Sequence, residues 1–169
     1  MQRRQLLSLM AAGSAAALGG AWWVLPGAPA PAALSMAGAQ QVLQQLQGKA
    51  LVSLEGWSPA QVFNHCAQSV DYSMDGYPQL KPAWFRHSVG PAVFDVFAAR
   101  GGMRHSLTEA IPGAPALTEP AQLAAALERL LVSMQRFAEF SGPLQPHFAY
   151  GELDHAEYAL AHVMHLYNH

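Results

Sequence analysis

The apolar residues between positions 119 and 140 recur every three or four residues, and this spacing constrains the fold more than any other feature. They are Leu123, Leu127, Leu130, Met134 and Phe137. Residues so spaced share one face of a helix, and such a seam is typical of helical bundles. From position 35 onwards we find no strand-like alternation of useful length. The sequence therefore predicts an all-α fold.

Two further helices are indicated by their first residues. Ser58 is followed by proline at the next position and by Gln61 three residues on, which predicts a capping box. This helix is expected to run to about Met74. Asp154 with Glu157 repeats the pattern and predicts a helix that runs to the end of the printed sequence.

Two more helical segments complete the predicted domain. One is short and Gln-rich, over residues 35–46, and the other spans about 83–100 with Pro91 expected to kink or restart it. Pro- and Gly-rich loops join the segments. We expect four main helices around one core, a four-helix bundle covering residues 34–169.

The first 33 residues have the pattern of an export signal. Arg3 and Arg4 precede an uncharged stretch over 6–25, and small residues with proline follow. The arginine pair before two leucines resembles a twin-arginine signal, which implies the twin-arginine translocation machinery as a partner in transit. We expect a periplasmic or otherwise exported protein. It stays membrane-anchored if the signal is not cleaved, although the weakly apolar stretch favours release.

Charge and cysteine content exclude several classes of function. The formal net charge is −2, and without the two N-terminal arginines there are seven basic and eleven acidic residues. A mildly acidic domain lacks the basic surface that nucleic acids require, so no nucleic-acid partner is expected. Cys66 is the single cysteine, which rules out an intramolecular disulfide. We interpret it as a small buried apolar residue.

The predicted last helix carries a stripe of histidines on one face, at spacings of three or four residues. They are His155, His162, His165 and His169, with Tyr158 between the first two. Buried neutral imidazoles need partners for both nitrogens, and a metal ion is a partner that several can share. His165 and His169 have the i, i+4 spacing that binds one ion from consecutive turns. The alternative is a solvated polar face or a pH-sensitive surface.

Three stretches give the chain a resemblance to a known superfamily. Residues 57–66, 107–115 and 147–169 resemble the first histidine-bearing helix, the Pro-rich central loop and the closing segment of the DinB-like four-helix bundles. The likeness is closest to a branch of unknown function. It implies that His65, His165 and His169 bind one divalent ion, with zinc, nickel or iron as candidates. His147 matches a family position and is expected to be structural or to support the metal ligands.

Several alternatives stay open from the sequence. In the family more helix usually follows the last histidine, so His162 or a terminal carboxylate is an alternative ligand to His169. The carboxylates Asp71, Glu152 and Glu157 are available, but none has the spacing that would identify a general base. A homodimer is also open.

The expected function is metal-dependent chemistry on a small molecule, by a hydrolase or, as the resemblance implies, a thiol-dependent transferase. The alternative is a non-catalytic metal-binding or structural bundle in the cell envelope.

Overall fold

A computed structural model describes residues 34–53, 56–117 and 122–169, so the predicted export signal lies outside the described residues. The described residues form helices joined by loops, with one isolated antiparallel bridge between His147 and Gly151. The all-α prediction is confirmed. In this part of the chain, no helix has both the length and the apolar character needed to cross a membrane.

Five helices of ten residues or more and one single-turn helix follow one another along the described chain. They are α1 (Met36–Gln45), α2 (Pro59–Asp75), α3 (Ala83–Arg86), α4 (Val89–Arg100), α5 (Leu123–Glu139) and α6 (His155–Asn168).

The main core lies between α1, α2, α5 and α6. Helices α2 and α5 form the most extensive pair, α1 packs on α5 and α6, and α2 also contacts α6. From Leu127 onwards the predicted seam of α5 is buried in this core. Helix α4 packs against α6, where Phe94 and Met164 form a smaller apolar cluster. The core thus holds α2 beside α6, the two helices that carry the predicted metal ligands.

One predicted helix boundary was wrong. The segment expected over 83–100 consists of two helices, and the break falls at His87 and Ser88 rather than at Pro91. Pro91 lies in the first turn of α4, where backbone N–H groups have no partner within the helix and proline is tolerated. The described helix α5 begins at Leu123, and the first residues of the helix expected from 119 lie outside the described residues.

Gly90 lets α4 lie directly on the loop that follows α5. A Cβ at this position would overlap the carbonyl oxygen of Ala149 and approach Tyr150. Gly90→Ala should therefore destabilise the fold by about 1–3 kcal/mol, the usual cost of overpacking. Without the clash, alanine would stabilise a helix. Gly102→Ala is the matched control, because a Cβ at that position would have no neighbour within 4 Å. Urea unfolding of both variants measures the difference, and an unchanged or raised stability of Gly90→Ala would contradict the prediction.

Candidate metal centre

Both helices that bear the predicted ligands begin with a formed capping box. In α2 the Ser58 hydroxyl accepts from the Gln61 N–H at 3.3 Å, and the Gln61 side chain accepts from the Ser58 N–H at 3.0 Å. In α6 Asp154 and Glu157 make the same reciprocal pair, at 2.8 Å each way. These caps satisfy N–H groups that the helix leaves unpaired. They fix where each helix starts and hence which face His65 and His165 occupy.

The structure brings His65, His165 and His169 together. The ring centroid of His65 lies 4.8 Å from that of His165 and 5.0 Å from that of His169, and the last two are 5.0 Å apart. One nitrogen from each ring can be chosen so that all three lie within 4.8 Å of one another. We call these three residues the histidine cluster.

The geometry and bonding of the histidine cluster fit a metal ion. The Nε2 atoms of His165 and His169 face each other at 3.2 Å. Two tetrahedral zinc ligands at about 2.0–2.1 Å from the ion lie about 3.3–3.4 Å apart. His65 Nδ1 is buried and lacks a hydrogen-bond partner among the described residues. Buried ring nitrogens without partners are costly, and a coordinated cation relieves such a cost.

Burial keeps all three imidazoles neutral. Desolvation, followed by repulsion from His169 and His105, lowers the pKa of His65 to about 3. Desolvation and then His105 lower the pKa of His169 to about 4. Desolvation, with His65 next, holds the pKa of His165 well below its ordinary value. A neutral imidazole is the form that binds metals, so the cluster is ready for a cation at pH 7.

Two further side chains enclose the histidine cluster. The Trp57 ring lies 4.9 Å from His65, edge to face, and stacks at 6.2 Å on His169. His105 comes from the loop after α4 and lies 4.9 Å from His165 and 5.1 Å from His169. Its Nδ1 is 2.9 Å from the carbonyl oxygen of Ser106. His105 was not predicted from the sequence.

A cavity of about 220 Å³ adjoins the histidine cluster. His65 and His165 form part of its wall, and His105 and His147 line it as well. The remaining wall is mostly apolar, with Lys81 and Glu109 as the charged side chains. Among the apolar lining residues are Met103, Ile111, Phe148, Ala149 and Ala161. A metal ion in the cluster would therefore have a small, largely apolar compartment beside it.

A family model described as "Protein of unknown function (DUF1569)" matches residues 34–169. The chain belongs to the DUF1569 family. The match contains every residue of the histidine cluster and of the cavity wall. Comparison with curated proteins and with solved structures found no match.

The rest of the histidine stripe of this DUF1569 protein has other partners. His162 is 6% exposed and its Nε2 lies 3.2 Å from the Ser73 hydroxyl in α2. His155 stacks on Phe137 at 4.4 Å, and its Nε2 lies 3.1 Å from the carbonyl oxygen of that residue. Neither joins the cluster. The structure thus places His169, rather than His162, beside His65 and His165.

The carboxylates considered from the sequence lie away from the cavity. Asp71 pairs with Arg129 at 3.4 Å on the surface between α2 and α5, and Glu157 caps α6. Glu152 is exposed and does not line the cavity. Glu109, which does, was missed because it sits in a loop without periodicity. Burial raises the pKa of the Cys66 thiol to about 12, consistent with its interpretation as an apolar core residue rather than a nucleophile.

The Pro-rich loop of the DUF1569 protein is tied to α2 by two glutamine side chains. Gln61 donates to the carbonyl oxygen of Leu117 at 3.1 Å, and Gln68 donates to that of Pro115 at 3.3 Å. Asn168 of α6 donates to the carbonyl oxygen of His105 at 3.4 Å. These bonds hold the loop, with His105 and Glu109, against the helices that carry the cluster.

Proposed function

We propose that this protein binds one divalent metal ion through His65, His165 and His169 and uses it in chemistry on a small molecule held in the adjoining cavity. The observation that carries the proposal is the convergence of three neutral imidazoles, two of which, His65 and His165, form part of the wall of that cavity. Zinc, nickel and iron all accept imidazole ligands. A divalent ion with three protein ligands keeps an open position and supplies Lewis-acid activation of a water or a thiol.

The chain's own residues divide the remaining tasks. The apolar wall formed by Met103, Ile111 and Phe148 limits water around a bound molecule. Cys66 is buried and protonated, so it cannot serve as the reacting thiol. In a thiol-dependent transferase reaction, the thiol would have to belong to a substrate molecule. The proposed reaction class is therefore a hydrolysis or a transfer that uses an exogenous thiol.

We further propose that the domain is a DinB-like four-helix bundle and that the protein is exported. Helices α1, α2, α5 and α6 share the main core, and the proposed ligands come from α2 and α6, as the resemblance implies. The arginine pair and the uncharged stretch within residues 1–33 support export to the periplasm. These two proposals, the DinB-like bundle and the export, go beyond the family assignment, because membership of this family does not identify a function.

A second candidate function is metal binding without catalysis, for sequestration or stability in the cell envelope. It is favoured by one observation. Within the described part of the chain, no carboxylate forms a hydrogen bond or ion pair with His65, His165 or His169. A general base for hydrolysis would then have to come from the substrate or from the loop that carries Glu109.

Cobalt(II) titration tests the proposal. We expect the metal-free protein to bind about one equivalent with a visible spectrum typical of nitrogen ligation, and His65→Ala to bind none. Azide added to the cobalt protein should change the spectrum, because the proposed site has an exchangeable fourth position. Bound cobalt with an azide-insensitive spectrum would favour sequestration. Cobalt binding at background level would overturn both functions.

A further inference from the structure

His147 is a buried histidine that lines the cavity but is not part of the histidine cluster. It is 7% exposed and lies in the loop between α5 and α6. Its Nδ1 accepts two backbone hydrogen bonds, from the Ala149 N–H at 3.1 Å and the Tyr150 N–H at 3.0 Å. A nitrogen that accepts two N–H donors carries no proton of its own.

The protonation of His147 follows from these contacts. A neutral imidazole has one N–H, so with Nδ1 as acceptor the proton is on Nε2. Desolvation, helped by His162, lowers the pKa of His147 to about 3, which keeps the ring neutral. The ring is also clamped, because Tyr150 stacks on it at 4.3 Å and 7° and Tyr77 packs edge-on at 5.1 Å. Its Nε2–H therefore points in one fixed direction.

No described residue accepts a hydrogen bond from this Nε2–H. Within the described chain, the His147 side chain makes hydrogen bonds only through Nδ1. The Nε2 atom is not one of the fully buried polar atoms without a partner, so it is accessible from the cavity. Since the side chain lines the cavity, the donor is available to whatever fills it. Buried N–H groups nearly always find a partner.

We propose that His147 is a fixed hydrogen-bond donor that positions an acceptor oxygen, of a carbonyl or carboxylate group, in a small molecule bound in the cavity. The turn at Ala149 and Tyr150 needs only an acceptor at position 147, which a shorter amide side chain supplies. The imidazole adds the second function, a donor on its far side. Lys81 and Glu109 line the same cavity, so its wall carries one charge of each sign. The volume of about 220 Å³ limits the ligand to a compact acid or carbonyl compound.

The inference rests on the proposed function in one respect, that the cavity is where the small molecule binds. Acetate is a suitable probe because it offers the required oxygen and fits the volume. His147→Asn is the decisive variant. Its Oδ1 can still accept from the two backbone N–H groups, but it has no donor at the Nε2 position. A purely structural histidine would be replaced by asparagine without loss of ligand affinity.

In cobalt-loaded protein, we expect His147→Asn to bind one equivalent of metal and to weaken acetate binding by about 3- to 10-fold, the loss of one hydrogen bond. The cobalt spectrum reports the acetate titration. Nitrogen-15 NMR of the wild-type protein should show Nδ1 unprotonated and Nε2 protonated at pH 7. Wild-type acetate affinity in the loaded variant, or a proton on Nδ1, would overturn the inference.

The two proposals fail in different ways. If the wild-type protein binds no cobalt, the proposed metal function falls, and the His147 Nε2–H resonance of the metal-free protein then decides this inference. A resonance that moves with acetate concentration supports the donor, and one that does not move overturns it.

Discussion

Replacing His165 by alanine should abolish the stabilisation of this protein by divalent metal. His165 belongs to the histidine cluster, with its ring within 5.0 Å of both His65 and His169. An ion that binds only the folded state at 100 times its Kd stabilises it by about 2.7 kcal/mol. For a domain of this size that corresponds to a rise in Tm of about 10 °C. We expect this rise in the wild-type protein with zinc and about 1 °C or less in His165→Ala.

Differential scanning calorimetry with and without zinc, followed by addition of a chelator, measures the effect. His87→Ala is the matched control, because His87 is exposed and lies outside the cluster. It should keep the full rise. Should His165→Ala fold poorly without metal, His169→Ala provides a second ligand variant at the end of α6. A zinc-dependent rise that survives in both variants would contradict a metal site at these histidines.

The helices were predictable where a local signal defines them. Both capping boxes, at Ser58 and at Asp154, are formed as their sequence patterns indicated, because a cap is made by residues three positions apart. The break before α4 was not predicted, since no local signal separates His87 and Ser88 from a continuing helix. Pro91 was the visible breaker, but the first turn of a helix accepts it.

The histidine stripe shows what helical periodicity leaves undetermined. Spacing placed four imidazoles on one face, but it carries no information on which neighbouring helix each one meets. With a rise of about 1.5 Å per residue, His155 and His169 are about 21 Å apart along the axis. One ion cannot reach both. Along α6, His155 contacts Phe137 and His162 contacts Ser73. His169, at the end of the helix, lies beside His65. Each histidine therefore contacts the residue that lies at the same height on the neighbouring helix.

The loop residues of the candidate site could not be predicted from sequence periodicity. His105 and Glu109 lie beside the cluster and the cavity because Gln61 and Gln68 anchor the following segment to α2. These are single side chain to backbone contacts between residues about 50 positions apart. The Pro-rich sequence indicates a loop, but it does not indicate which helix the loop packs against. A loop histidine therefore becomes recognisable as part of a site only in the folded chain.

The metal-free protein should lose stability steeply as the pH falls below about 6.5, because its buried histidines must stay neutral in the folded state, among them two outside the cluster. Burial lowers the pKa of His147 and of His162 to about 3, each with a smaller contribution from a neighbouring histidine. Unfolded histidines titrate near 6.5. Between these values the two residues together bind two more protons in the unfolded chain than in the folded one, so acid favours unfolding. The slope is about 2.7 kcal/mol per pH unit for the pair.

By pH 5 this amounts to about 4 kcal/mol, a large part of the 5–15 kcal/mol that stabilises a typical domain. Urea unfolding in the presence of a chelator, from pH 7.5 to pH 5, measures the loss. In His162→Gln the side chain can still hydrogen-bond the Ser73 hydroxyl but takes up no proton. Its stability should fall by about 2 kcal/mol less than that of the wild-type protein over the same range. Equal pH dependence in the two proteins would mean that His162 is already protonated, or hydrated, in the folded state.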